Sequence, residues 1–234
     1  MSAIVANLQA VRARIAAAAR AAGRDPATVR LLAVSKTWPA ADVRTAHEAG
    51  QRAFGENYAQ EASAKIAALA GLGLEWHFIG PVQGNKTRLI AGSFDWVHSV
   101  DRLKIAERLA AQRDADRPPL QVCLQVNLGG EAGKAGVAPE EVLPLARALA
   151  ALPRLRLRGL MCIPEPDGDA ARLRERFAHL RQLLQQLTRD GIALDTLSMG
   201  MSHDLEAAIA EGATLVRVGT AIFGARKQAE AVAS

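Results

Sequence analysis

Residues 30–36 read Arg30-Leu31-Leu32-Ala33-Val34-Ser35-Lys36, and a helical pattern, Ala40–Ala49, follows them. The run is apolar without clean alternation, which marks a strand covered on both faces, as in a parallel sheet. Residues two apart on a strand share a face, so Leu32, Val34 and Lys36 are expected to point the same way. The unit recurs along the chain. Further strands are predicted at Arg52–Glu56, Trp76–Gly80, Trp96–Val100, Gln121–Leu128, Arg158–Ile163, Thr196–Gly200 and Leu215–Gly219. Helical patterns such as Tyr58–Ala70, Asp101–Asp114, Pro139–Ala151 and Ala170–Asp190 stand between them. Eight strand–helix units predict an α/β fold, a single (β/α)8 TIM barrel over residues 1–234. The amphipathic stretch Met1–Ala22 is an extra N-terminal helix. No linker or composition shift divides the chain.

The 234 residues hold 29 Lys and Arg against 24 Asp and Glu, a net charge of +5, with 50% hydrophobic and 23% charged residues. This ordinary globular balance excludes a disordered or collagen-like chain. The basic excess is scattered arginine, and aromatic residues make up only 4%. Without a basic run or an aromatic ladder, the charge reads as a solvated surface, and no nucleic-acid partner is expected. No run of about 18 apolar residues predicts a membrane span. Cys123 and Cys162 stand in apolar runs with no C-x-x-C pair, which predicts buried thiols in a reducing, cytoplasmic setting.

In such a barrel the chemistry belongs at the C-terminal ends of the strands, and phosphate is often held after strands seven and eight. Lys36 ends the first strand at that mouth. Partial burial would lower its pKa and make the amine a nucleophile toward a carbonyl; the alternative is a lysine that merely snorkels. Ser198-Met199-Gly200-Met201-Ser202-His203-Asp204 follows strand seven, and Arg217-Val218-Gly219-Thr220 ends strand eight. Two Gly/Ser/Thr turns there suit an anion, although each could be an ordinary capped helix start. Arg217 shares a face with Leu215 and Gly219, so its guanidinium enters the barrel and needs a partner; a structural ion pair would also answer. Asn57 is placed to orient a polar substituent, or to cap the next helix. His77 and His98 read as satisfied core histidines or as acid–base groups. Gly80–Thr87 misses P-loop spacing, and the histidines show no metal spacing.

These segments resemble the YggS/PROSC-type pyridoxal phosphate homeostasis proteins. The resemblance rests on Ala33–Lys36, Phe54–Tyr58, His77–Gly80 with Gln83, Asn85 and Lys86, and Val97–Asp101. It extends through Gln125–Asn127 with Lys134 and Gly136, then Gly159–Met161, Ser198–Asp204 and Val216–Gly224. It implies a barrel like the alanine racemase N-terminal domain (fold type III among proteins that use pyridoxal 5′-phosphate, PLP). By the motifs, Lys36 would form the Schiff base. Ser202, Gly219 and Thr220, with the backbone of Met201, would receive the phosphate. Arg217 would face the pyridine nitrogen, and Asn57 would lie near the ring.

The resemblance thus implies a PLP-binding protein that stores, delivers or buffers the cofactor without robust catalysis. Expected partners are PLP and, transiently, apo PLP-dependent enzymes, with no membrane, and the chain is expected to be a monomer. Racemases add a second domain whose tyrosine serves the opposite face, whereas this sequence ends at Ser234 and its only tyrosine is Tyr58. The competing readings are a weakly active PLP-dependent racemase, a Schiff-base aldolase acting on a sugar phosphate, and a plain interaction scaffold.

Overall fold

A parallel sheet with apolar side chains on both faces has no side to offer water, and here it closes on itself. The structure is a computed structural model that describes residues 2–129, 135–164 and 169–225, so Lys134 lies outside the described residues. Strands β1 (Arg30–Val34), β2 (Ala53–Glu56), β3 (Glu75–Phe78), β4 (Trp96–Val100), β5 (Leu120–Gln125), β6 (Leu155–Met161), β7 (Thr196–Ser198) and β8 (Leu215–Val218) run in order around a closed barrel. Each pair is parallel, and β1 closes on β8 through Leu32 opposite Arg217 and Ala33 opposite Val218. The crossover helices are α2 (Ala40–Glu48), α3 (Ala59–Ala68), α4 (Thr87–Ser93), α5 (Leu103–Gln112), α6 (Val142–Ala150), α7 (Ala170–Arg189) and α8 (Leu205–Ala210). Helix α1 (Ala3–Ala21) precedes β1, and the short α9 (Thr220–Phe223) follows β8.

Strand alternation sorts the apolar residues into two layers. Ala33, Phe54, Val97, Leu124, Leu160 and Val216 join the large core under the helices. Their neighbours form separate clusters inside the ring: Leu32, Ala53 and Leu215 with Ile79, and Trp96, Cys123 and Met161. Deleting such a side chain, as in Leu32→Ala, typically costs about 2–5 kcal/mol, because the surrounding strands close the hole only in part. Both cysteines are buried free thiols, and burial pushes each pKa up to about 12, which keeps them unreactive. Among the described residues no helix is long and apolar enough to cross a membrane.

Several predicted strands run past the real ladder at their mouth ends. β1 stops at Val34, two residues short of Lys36, because the chain turns: Trp38 N–H donates to Ser35 O at 3.1 Å, and Thr37 adopts a left-handed φ of 69°. β7 stops at Ser198 ahead of Gly200, whose φ is +93°. A side chain at Gly200 would meet Ala208 Cβ at 2.6 Å, so glycine alone lets this turn fold back onto α8. β6 begins three residues earlier than predicted, at Leu155.

Helix α1 serves the site from outside the barrel. Leu8, Val11, Ile15 and Ala19 make its buried face. From its other positions, Asn7 Nδ2 donates to Ile222 O at 2.9 Å and Arg14 donates to Ser202 O at 3.2 Å while pairing with Glu206 at 2.9 Å. The helix thus staples down the segments after β7 and β8.

Candidate functional site

A cavity of about 250 Å³ opens at the C-terminal ends of the strands. Its walls include all seven residues expected from the sequence: Lys36, Asn57, Met201, Ser202, Arg217, Gly219 and Thr220. Val34 and Lys36 line it together, as do Arg217 and Gly219, in agreement with the shared-face reading of β1 and β8. The walls also carry Trp38, Ile79, Ile163 and His203, which sequence reasoning missed. Trp38 stacks on Phe223 with ring centroids 5.8 Å apart, a contact between the loop after β1 and α9 that no local pattern foretells. A larger hollow of about 350 Å³ at the opposite end is lined by Arg12, Arg30 and Arg52. Those guanidiniums are engaged by Ala49 O, Glu75 and Leu72 O, and the hollow is the more open, so it is the poorer binding site.

The Lys36 loop is clamped from both sides. Lys65, on α3, is more deeply buried than Lys36, at 6% exposure, and its Nζ donates to Glu56 Oε1 at 2.6 Å, to Ser35 O at 2.8 Å and to Glu61 Oε1 at 3.2 Å. Ser35 Oγ donates to Glu56 Oε1 at 2.7 Å, and Thr37 N–H donates to Glu61 Oε1 at 2.8 Å. The bonds flank Lys36 in sequence and hold Thr37 in a conformation that costs a non-glycine residue about 1–2 kcal/mol. Burial raises the pKa of Glu56, and the charge and hydrogen bond of Lys65 oppose that rise.

Arg217 is buried at 4% exposure, and burial lowers its pKa. Among the described residues it meets no carboxylate in the ring. Nη1 donates to Ser198 O at 2.7 Å and to Ser198 Oγ at 2.8 Å, while Nη2 donates to Cys162 O at 2.9 Å. The ion-pair alternative is therefore not realised, and the cation is solvated by oxygens of β7 and the end of β6.

Asn57 does not cap α3, whose first turn has no side-chain cap. Its Oδ1 is buried without a hydrogen-bond partner at the cavity wall, an arrangement that costs about 1–3 kcal/mol unless something else supplies a donor. Gly80 backs this residue: a Cβ there would lie 2.9 Å from Asn57 Cα, so the chain just after β3 presses directly on the Asn57 backbone. On the wall expected to receive a phosphate, Ser202, Gly219 and Thr220 come together, but the Met201 amide already donates to Asp204 Oδ1 at 2.5 Å. Tyr58 is 53% exposed and absent from the cavity walls.

Comparison with known proteins shows the family and the fold. The family model for the alanine racemase N-terminal domain matches residues 6–227. A pyridoxal phosphate homeostasis protein of Pseudomonas aeruginosa is 66% identical over 226 residues, 97% of each chain. One from Escherichia coli K12 is 53% identical over 229 residues, 97% of this chain and 98% of that one. The structure of PipY of Synechococcus elongatus with PLP bound superposes with a TM-score of 0.83 at 41% identity, covering 94% of this chain and 100% of that one. An alanine racemase of Streptomyces lavendulae, at 22% identity and a TM-score of 0.74 over 57% of its own chain, shares the fold. The chain belongs to the pyridoxal phosphate homeostasis protein family, built on the alanine racemase N-terminal barrel.

Proposed function

We propose that the cavity holds PLP and that the protein stores, buffers or delivers the cofactor rather than turning over an amino acid. The observation that carries this reading is one small cavity walled by a lysine, a buried guanidinium and an amide oxygen that lacks a donor. That set suits an aldehyde on an aromatic ring with polar substituents. The PLP-bound relative supports it.

When bound, PLP supplies an electrophilic aldehyde and a ring that can accept electrons. Lys36 Nζ would hold the cofactor through its aldehyde carbon, the amine displacing the carbonyl oxygen as water. Ser202, Gly219 and Thr220 take the phosphate, and Met201 shapes the same turn through its tie to Asp204. Asn57 accepts from a ring substituent. Arg217 would face the ring nitrogen, where its permanent charge would disfavour a proton, so that the ring would withdraw electrons weakly and carbanion chemistry would not be favoured. Two-base racemisation needs a proton donor on each face. Tyr58 is away from the cavity, which leaves His203 as the imidazole at the wall. We read residues 1–234 as one cytoplasmic, monomeric barrel domain that meets apo PLP-dependent enzymes transiently.

Spectra of the purified chain with and without PLP, followed by borohydride reduction and mapping of the modified residue, test this. A yellow band reduced onto Lys36 and lost in Lys36→Ala is expected, with no solvent deuterium entering the α-carbon of amino acids above the level of free PLP. A colourless protein that traps a sugar phosphate would favour an aldolase, and turnover abolished by His203→Ala a racemase.

A further inference from the structure

A chain of hydrogen bonds crosses the inside of the barrel below the cavity. Ser198 Oγ, which takes a bond from Arg217 Nη1 at 2.8 Å, is 2.8 Å from His98 Nδ1. His98 Nε2 is 2.8 Å from His77 Nδ1, and His77 Nε2 is 2.5 Å from Glu75 Oε1. Glu75 Oε1 also receives Arg30 Nη2 at 2.7 Å, at the opposite end of the ring. Both rings are fully buried, and His77 stacks on Trp96 at 5.2 Å and 11°.

With both rings neutral the direction of this chain is fixed from the Glu75 end, and the Arg217 end agrees with it. A guanidinium only donates, so Ser198 Oγ accepts from Arg217, and its own hydrogen stays available for His98 Nδ1. A neutral His98 then carries its proton on Nε2 and donates to His77 Nδ1. From the other end, an ionised Glu75 only accepts, so His77 Nε2 donates to it. The two assignments meet without conflict. Every bond dipole points from Arg217 toward Glu75, with its negative end toward the cation.

We propose that Ser198, His98, His77 and Glu75 are positioning residues for Arg217: a one-way relay of three neutral groups, ending on the Glu75 carboxylate, that fixes the guanidinium against β7 and turns its remaining face to the cavity. The inference rests on Arg217 facing the cofactor's ring. Neutral rings suit the surroundings. Burial lowers the pKa of His98, and the positive charges of Arg217 and Arg30 act the same way. Burial lowers that of His77, with Arg30 adding to the fall and Glu75 and Asp95 opposing it.

The test uses the full chain loaded with PLP. Ser198→Ala and His98→Leu are expected to weaken PLP binding roughly tenfold, the scale of one lost buried partner, and to change the ratio of the bound cofactor's absorption bands. His98→Gln, whose amide offers both an acceptor and a donor, is expected to restore binding to within about threefold, a rescue that a merely space-filling role would not give. A folded His98→Leu chain with unchanged affinity and spectrum overturns the relay. Failure of the parent chain to bind PLP at Lys36 overturns the functional reading instead. The ring nitrogens decide the relay without cofactor or variants: ¹⁵N spectra should show His77 and His98 neutral with the proton on Nε2 from pH 5.5 to 8. A proton on His98 Nδ1, or a ring titrating near its ordinary value, overturns it.

Discussion

Lys36 and Arg217 reach the same cavity, and the protein holds them by opposite means. The Lys36 loop is pinned by charges: Lys65 against Glu56 and Glu61, with Ser35 and Thr37 tied in. Arg217 is pinned by uncharged groups, Ser198 and the Cys162 carbonyl, with two histidines behind. The difference follows from what each must fix. The first is a strained stretch of main chain, which needs strong bonds and can be gripped from behind. The second is a buried charge, and another ion beside it would alter the field in the cavity. Neutral dipoles orient it without adding net charge.

The largest expected effect comes from breaking the charged clamp. Lys65→Met leaves Glu56 buried beside an apolar chain, and removing one partner of a buried pair costs about 3–5 kcal/mol. Glu56 already has a raised pKa and its Oε2 is without a partner, so it takes a proton readily, and Lys65→Met should lose least at acid pH. Urea denaturation reads this directly. Adding Glu56→Gln should recover a large part of the loss; an unshifted urea midpoint in Lys65→Met would remove the clamp.

The uncharged side should show itself in acid. His77 and His98 have folded pKa values below 6.5, so below pH 6.5 the unfolded chain binds protons that the folded chain refuses. Stability from these rings is complete above pH 6.5 and falls as pH drops, by about 1.4 kcal/mol per pH unit for each ring. Glu75 acts in the same direction at lower pH. Burial would raise its carboxyl, but the bond from His77 and the charge of Arg30 outweigh burial and hold it at about 2, so its share is lost between pH 4.5 and 2. Stability measured from pH 7 to 5 should therefore decline, with a shallower slope in His98→Gln.

Outside the barrel the contrast fades. Arg14 and Glu206 are 40% and 51% exposed, and such a pair contributes less than about 1 kcal/mol. Arg14→Ala should barely move the melting midpoint. A loss as large as that of Lys65→Met would mean that α1 is a principal support of the turns after β7 and β8.

The eight-stranded barrel was legible because burial on both faces leaves a plain mark, the unbroken apolar run. The wall residues Lys36, Arg217 and Asn57 were legible because charge or amide at a strand end is costly without a purpose. The ends of β1 and β7 were less so, since the turns at Thr37 and Gly200 depend on packing against Glu61 and α8, contacts outside the strands themselves. Lys65 gave no signal at all. On the sequence it is one more charge on an amphipathic helix, and only the packing of α3 against the β1 loop makes it a buried anchor. His77 and His98 were ambiguous in the same way.

What the sequence alone determined, then, is the repeating period of its apolar residues, and with it the ring of parallel strands and the end at which chemistry belongs. Those are properties of near neighbours in the chain. Which polar groups meet inside that ring was decided by tertiary structure. Curvature brings β3, β4, β7 and β8 to a common axis, and hydrogen bonds form by distance in space, whatever the separation in sequence.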